Sequence, residues 1–146
     1  MAKPLYERDF YAWTIQTVQA LRAKAFNKVD IEHLTEELES MGASQKHALK
    51  SRLRVLLMHL LKWQYQPSYR SRSWENTIIA QRDDLKDLIQ DNPSLKSKID
   101  ETLPKSYKLA LLDFENETGI DPKKAEVPEV CRYSFDQVLD DEFYPE

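Results

Sequence analysis

Residues 49–63, LKSRLRVLLMHLLKW, decide the fold. Between Val55 and Leu61 only His59 is polar, so a helix over this stretch leaves no face for water across two turns. A helix that is apolar all round belongs at the centre of a bundle, with amphipathic partners packed against it. The run is too short to span a bilayer, which takes ~20 apolar residues, and Arg52, Arg54 and Lys62 interrupt it. No membrane association is expected.

The rest of the chain fits this centre. Of 146 residues, 41% are hydrophobic and 32% charged, a globular balance, and the length suits one domain over residues 1–146. Gly42 and Gly119 are the only glycines, too few for the turns of a β-protein. The expected fold is all-α: an up-and-down helical bundle of about five main helices. The first helix is expected from about Glu7 to Ala25, with Phe10, Trp13, Thr17 and Leu21 at helical spacing and Ile15 and Val18 widening the stripe. Asp30 suits an N-cap for a second helix, whose Ile31, Leu34, Leu38 and Met41 form a narrow stripe and which Gly42 closes. The central helix then starts near Ser44 and reaches about Gln64. Ser71 or Ser73 can cap a fourth helix carrying Trp74, Ile78, Leu85, Leu88 and Ile89. Asn92-Pro93 opens a fifth, which Pro104 should end or kink, and Gly119 closes the helical stretch after it. Residues 121–133, with Pro122 and Pro128, read as extended. Ser134 and Gln137 form a capping-box pattern for a short last helix. Phe135, Val138, Leu139, Phe143 and Tyr144 are apolar anchors that an undocked tail would not need, so residues 121–146 are expected to dock on the bundle.

Several strings, in order, resemble a known family: YERDFYAW, EHLTEELESMG, VLLMHLLKWQYQP, SRSWENTI, IAQR, DNPSL, ENETG and VLDDEFYPE. From about Tyr6 to Glu146 the chain is similar to the cyanobacteria-rich "domain of unknown function" family number 29. Arg132 stands where that pattern has proline. The resemblance implies a helical bundle. It carries no activity, cofactor or catalytic residue to transfer.

Charge is distributed unevenly. The net charge of −4 comprises −2 over residues 1–43, +7 over 44–82 and −9 over 83–146. The basic block can serve an outside anion or nucleic acid, or it can pair with the acidic third of the chain. Lys46, Lys50 and Arg54 form a row at i, i+4 and i+8. Arg70, Arg72 and Trp74, with Ser73 at a helix start, offer guanidinium groups, backbone N–H donors and an aromatic face to a phosphate or base. Contacts from several of Arg52, Arg54, Arg70 and Arg72 to phosphates would make such binding steeply salt-dependent. His33, Glu36 and Glu37 share a helix face and, with His59, are the candidate metal ligands or hydrolytic residues. Neither Glu-x-x-His nor HExxH spacing is present. Cys131 cannot form an internal disulfide; beside Arg132 it is the one candidate thiol nucleophile, with a small tail residue as the plainer role. Trp13, Trp63, Trp74, Tyr65 and Tyr69 can line a pocket or simply belong to the core. The N-terminal residues show no apolar leader segment, which with the lone cysteine favours the cytoplasm. The expected role is a non-enzymatic interaction or regulatory module with a protein partner and no cofactor. A metal-dependent or hydrolytic enzyme and a nucleic-acid or anion binder are the alternatives, and homo-oligomerisation is left open.

Overall fold

A computed structural model describes residues 2–146, and among these no strand occurs. Six α-helices follow in order: α1 (Leu5–Arg8), α2 (Phe10–Arg22), α3 (Ile31–Tyr65), α4 (Arg72–Asp91), α5 (Ile99–Thr118) and α6 (Phe135–Leu139). The all-α expectation holds. No helix is long and apolar enough to cross a membrane among the described residues. The chain divides into two compact units, Met1–Ala43 and Ser44–Glu146.

The second unit is the bundle built on the opening motif. Leu49, Leu53, Leu56, Leu57, Leu60 and Leu61 of α3 are all 1% exposed or less. Ile78 and Leu85 of α4 and Tyr107, Ala110 and Phe114 of α5 close around them. Ser106 Oγ donates to the Lys50 carbonyl at 3.1 Å, tying α5 to α3. Ser71 caps α4, its side chain accepting from the Trp74 N–H, and Gly119 ends α5 in the left-handed conformation at φ 73°.

The tail docks as expected. The Ser134–Gln137 capping box is complete, Val138 is fully buried, and Phe135, Leu139, Phe143 and Tyr144 are half-buried against the core. Tyr107 Oη donates to the Pro128 carbonyl at 2.6 Å, and Tyr133 Oη donates to Gln64.

The first unit is a helical hairpin. Asp30 caps α3 by accepting from the His33 N–H. Tyr6 of α1 donates its hydroxyl to Glu37 and stacks on His33, ring centroids 4.1 Å apart.

Four expectations need correction. Gly42 does not end a helix: α3 runs unbroken through it, because a glycine among good helix formers costs only about 1 kcal/mol and no proline follows. Every residue from Leu38 to His47 is exposed, so this middle of α3 buries no side chain of its own. The helix foreseen from Glu7 is broken at Asp9, whose carboxylate caps α2 by accepting from the Ala12 N–H at 3.0 Å. Pro104 neither ends nor breaks α5; it stands on the exposed side of the helix near its start, and Asp100, whose carbonyl loses its helical donor, is exposed too. Residues 121–133 are not simply extended: Asp121 accepts from the Lys123 N–H at 3.0 Å and Val127 N–H returns to the Pro122 carbonyl at 2.9 Å, closing a turn.

Candidate interaction surface

The basic block is largely consumed inside the bundle. Lys46 meets Glu101 at 2.7 Å, Arg52 meets Asp84 at 2.8 Å and Lys62 meets Glu117 at 2.8 Å. Arg54 grips Asp113 with two donors, at 2.6 and 2.8 Å, which holds the guanidinium pKa above its ordinary value. Lys50 makes no ion pair among the described residues. Arg72 pairs with Glu75 at 2.9 Å, and Trp74 lies under the Lys62 ammonium, 4.6 Å from the ring centroid. Arg70 donates to the Trp63 carbonyl at 2.8 Å and reaches the Pro145 carbonyl at 3.5 Å, while Tyr144 packs on the Trp63 ring. In the candidate anion site, then, Arg70 and Arg72 already have partners among the protein's own carbonyls and carboxylates, although both remain exposed.

Arg82 belongs to the same block and has a role that composition does not reveal. It is fully buried, donating from Nε to the Val138 carbonyl at 2.8 Å and from Nη2 to the Phe143 carbonyl at 2.6 Å. Val138 lies in the last turn of α6, where carbonyls lack helical donors and the helix dipole is negative, so the guanidinium itself caps the C-terminal end of that helix. Burial still pushes its pKa down, and the nearby Tyr144, Asp141 and Asp140 push it back up. Lys86 adds an exposed pair to Asp141 at 2.8 Å.

The structure does not assemble the metal candidates. No group of three or more His, Cys, Asp or Glu is arranged to hold a metal ion among the described residues. His33 is bound to Asp30, Nδ1 to Oδ2 at 2.5 Å, which raises the imidazole pKa and lowers that of the carboxyl. Glu37 is taken by the Tyr6 hydroxyl, whose pKa is pushed up to about 12; Glu36 is exposed. His59 is half-buried and donates from Nδ1 to the Val55 carbonyl at 2.9 Å, with burial holding its pKa down. This is a packed, neutral histidine. Cys131 is likewise half-buried, its thiol pKa pushed up by burial, which opposes the thiolate that a nucleophile needs.

The aromatics are dispersed. Trp13 packs in the hairpin with Tyr6 and Phe10, Tyr65 sets its edge against Phe114, and Tyr69 is exposed.

The open surface lies on the hairpin, on side chains that the helical stripes assigned to a core. Of thirteen exposed large hydrophobic residues among the described residues, nine belong to residues 10–41: Phe10, Tyr11, Ile15, Val18, Leu21, Phe26, Ile31, Leu38 and Met41. Leu38 and Met41 are 59% and 63% exposed. Between α2 and the start of α3 runs a groove of about 410 Å³, floored by Trp13 and Thr17 and walled by Phe10, Val18, Leu21, Leu34, Leu38 and Met41, with Glu37 its one charged group. The periodicity signalled an apolar face correctly. Two short helices alone cannot cover it.

Comparison with curated proteins and with solved structures finds no match. The sequence profile of one family matches residues 5–144, which is nearly the whole chain. By that match the chain belongs to the family described as "Domain of unknown function DUF29".

Proposed function

We propose that this protein is a non-enzymatic cytoplasmic interaction or regulatory module, and that its working surface is the apolar groove of the α1–α2–α3 hairpin. The observation that carries this reading is the groove between α2 and the start of α3, whose lining includes the exposed side chains of Phe10, Val18, Leu21, Leu38 and Met41. Scattered single hydrophobics need no explanation, whereas a contiguous apolar face rimmed by charge marks a binding surface. The basic row on α3 serves the bundle in this reading, since Lys46 and Arg54 already hold Glu101 and Asp113.

Pull-down with the 146-residue protein as bait tests it. Leu38→Glu with Met41→Glu should abolish partner recovery with helix content intact, because both side chains are exposed and support no core. Reversal of Lys46, Lys50 and Arg54 should act on stability first. Undiminished recovery with the Leu38/Met41 double variant would overturn the assignment of the surface.

A further inference from the structure

We infer that the bundle holds a small-molecule site that takes a short hydroxycarboxylate, its charge held at the mouth by Arg132 and Tyr65 and its hydroxyl by the phenol oxygens of Tyr107 and Tyr133. A cavity of about 110 Å³ opens where the end of α3, α5 and the tail meet. It shares no residue with the hairpin groove. Leu61 and Tyr65 come from α3, Tyr107 from α5, and Pro128, Arg132 and Tyr133 from the tail.

The polar groups of the cavity divide into acceptors within and donors at the rim. Tyr107 has spent its hydroxyl proton on the Pro128 carbonyl, at 2.6 Å, and Tyr133 has spent its own on Gln64 Oε1. A phenol that has already donated keeps lone pairs that can only accept, so these two oxygens call for a donor on the ligand. Both side chains are buried, where such a bond is stronger than in water. Tyr65 is the reverse case: its hydroxyl makes no hydrogen bond among the described residues and is free to donate. Arg132 is exposed and forms no ion pair among the described residues. No carboxylate lines the cavity among the described residues, so nothing there balances the guanidinium. The Arg132 charge is felt at Tyr65 and at Tyr107, where it tempers the rise that burial gives both hydroxyl pKa values.

These groups define the ligand. One guanidinium suits a monoanion, and its planar fork matches the two oxygens of a carboxylate. A phosphate dianion fits poorly, because no lysine or second arginine lines the cavity among the described residues. Gln64 and Tyr65 are also the last residues of α3, where the helix dipole is negative. That dipole keeps the carboxylate outward against Arg132 and turns the uncharged body inward onto Leu61 and the aromatic rings. A cavity of ~150 Å³ holds a benzene ring, so this one admits about four or five non-hydrogen atoms. The hydroxylated body of 3-hydroxybutyrate fills that space and leaves its carboxylate at the mouth.

Ligand-observed NMR and thermal melting of the 146-residue protein test the site, with 3-hydroxybutyrate as probe and sodium chloride of equal ionic strength as blank. Saturable binding with a Kd of about 1 mM is expected, together with a melting temperature that climbs with ligand concentration. Arg132→Gln should weaken binding about 10-fold or more and Tyr65→Phe about 3–10-fold, as loss of a charge-assisted and of a neutral hydrogen bond do. Neither change strips the core, since Arg132 is exposed and the phenylalanine keeps the edge contact with Phe114. Butyrate, which lacks the hydroxyl, should bind about 3–10-fold more weakly, and the neutral 3-hydroxybutyramide should not bind detectably. Arg22→Gln, the same loss of charge on the hairpin, should change nothing. Absence of saturable binding up to about 50 mM, or binding undiminished by Arg132→Gln, overturns the site. Butyrate or the amide binding as well as the hydroxy acid overturns the ligand class.

Discussion

Replacing Arg82 should release the tail. Its guanidinium is sealed from water and, among the described residues, supplies the side-chain donors to the Val138 and Phe143 carbonyls, at 2.8 and 2.6 Å. A hydrogen bond from a charged donor contributes about 1.5–3 kcal/mol, so the two together are worth several. Against this stands the cost of stripping water from a cation that has no direct carboxylate partner and whose Nη1 makes no bond among the described residues. Arg82→Ala removes both terms, strands two carbonyls and opens a cavity the size of a large side group, for an expected loss of about 3–5 kcal/mol. Arg82→Met refills most of the volume and abolishes the desolvation cost while still stranding the carbonyls, so it should lose less, about 1–3 kcal/mol. Arg82→Lys keeps the charge but cannot span both oxygens with one ammonium, and should fall between the two. Urea unfolding gives the stabilities. Hydrogen exchange at the Val138 and Phe143 amides, which bond to the Ser134 and Asp140 carbonyls, reports whether the tail has come away. An Arg82→Ala protein within about 1 kcal/mol of wild type, with both amides still protected, would refute the clasp.

Gly42→Ala should stabilise α3 by about 1 kcal/mol, because a Cβ there meets nothing within 4 Å and glycine is the poorer helix former; circular dichroism melting checks it. Asp113→Ala should cost about 1 kcal/mol or less at low salt, and less still at high salt, since Arg54 is 40% exposed; denaturation in a salt series measures it. The depressed pKa of His59 means that the unfolded state binds the extra proton first, so its contribution to stability falls as pH drops below about 6.5 and levels off below the folded value. His59→Leu should remove that part of the pH slope, visible as the difference between the two proteins' urea midpoints from pH 7.5 to pH 5. His33 carries the opposite sign: its raised pKa gives full support below about 6.5 that fades as pH climbs through the folded value, and His33→Ala should abolish that fade in the exchange rates of hairpin amides.

The bundle was legible because its signals were local or periodic. The leucines of 49–61 define the centre, and Ser71, Asp30, Gly119 and the Ser134–Gln137 box each act within one helical turn. Gly42 and Pro104 misled for one reason: both are read as breakers, yet each sits on exposed helix, where no packing is lost around it. The hairpin groove was hidden by the same periodicity that found its helices, since a stripe announces an apolar face without saying what covers it. Pairing of the basic block with the acidic third could be posed from composition, but which carboxylate meets which cation depends on contacts up to 59 residues apart. Arg82 was the least visible, as its partners are backbone carbonyls, which leave no mark in a sequence.

The guanidinium of Arg82 waits for oxygens that lie 56 and 61 residues further along the sequence. At a ribosomal pace of about 5–20 residues per second, that interval lasts on the order of several seconds. Throughout it a charged group destined for dryness must stay hydrated, and the oily floor awaiting Val138 stays unroofed. Nascent molecules thus pass through a sticky adolescence that ends only when the final short helix arrives, which makes this the natural moment for a chaperone to engage or for neighbouring polysome products to clump.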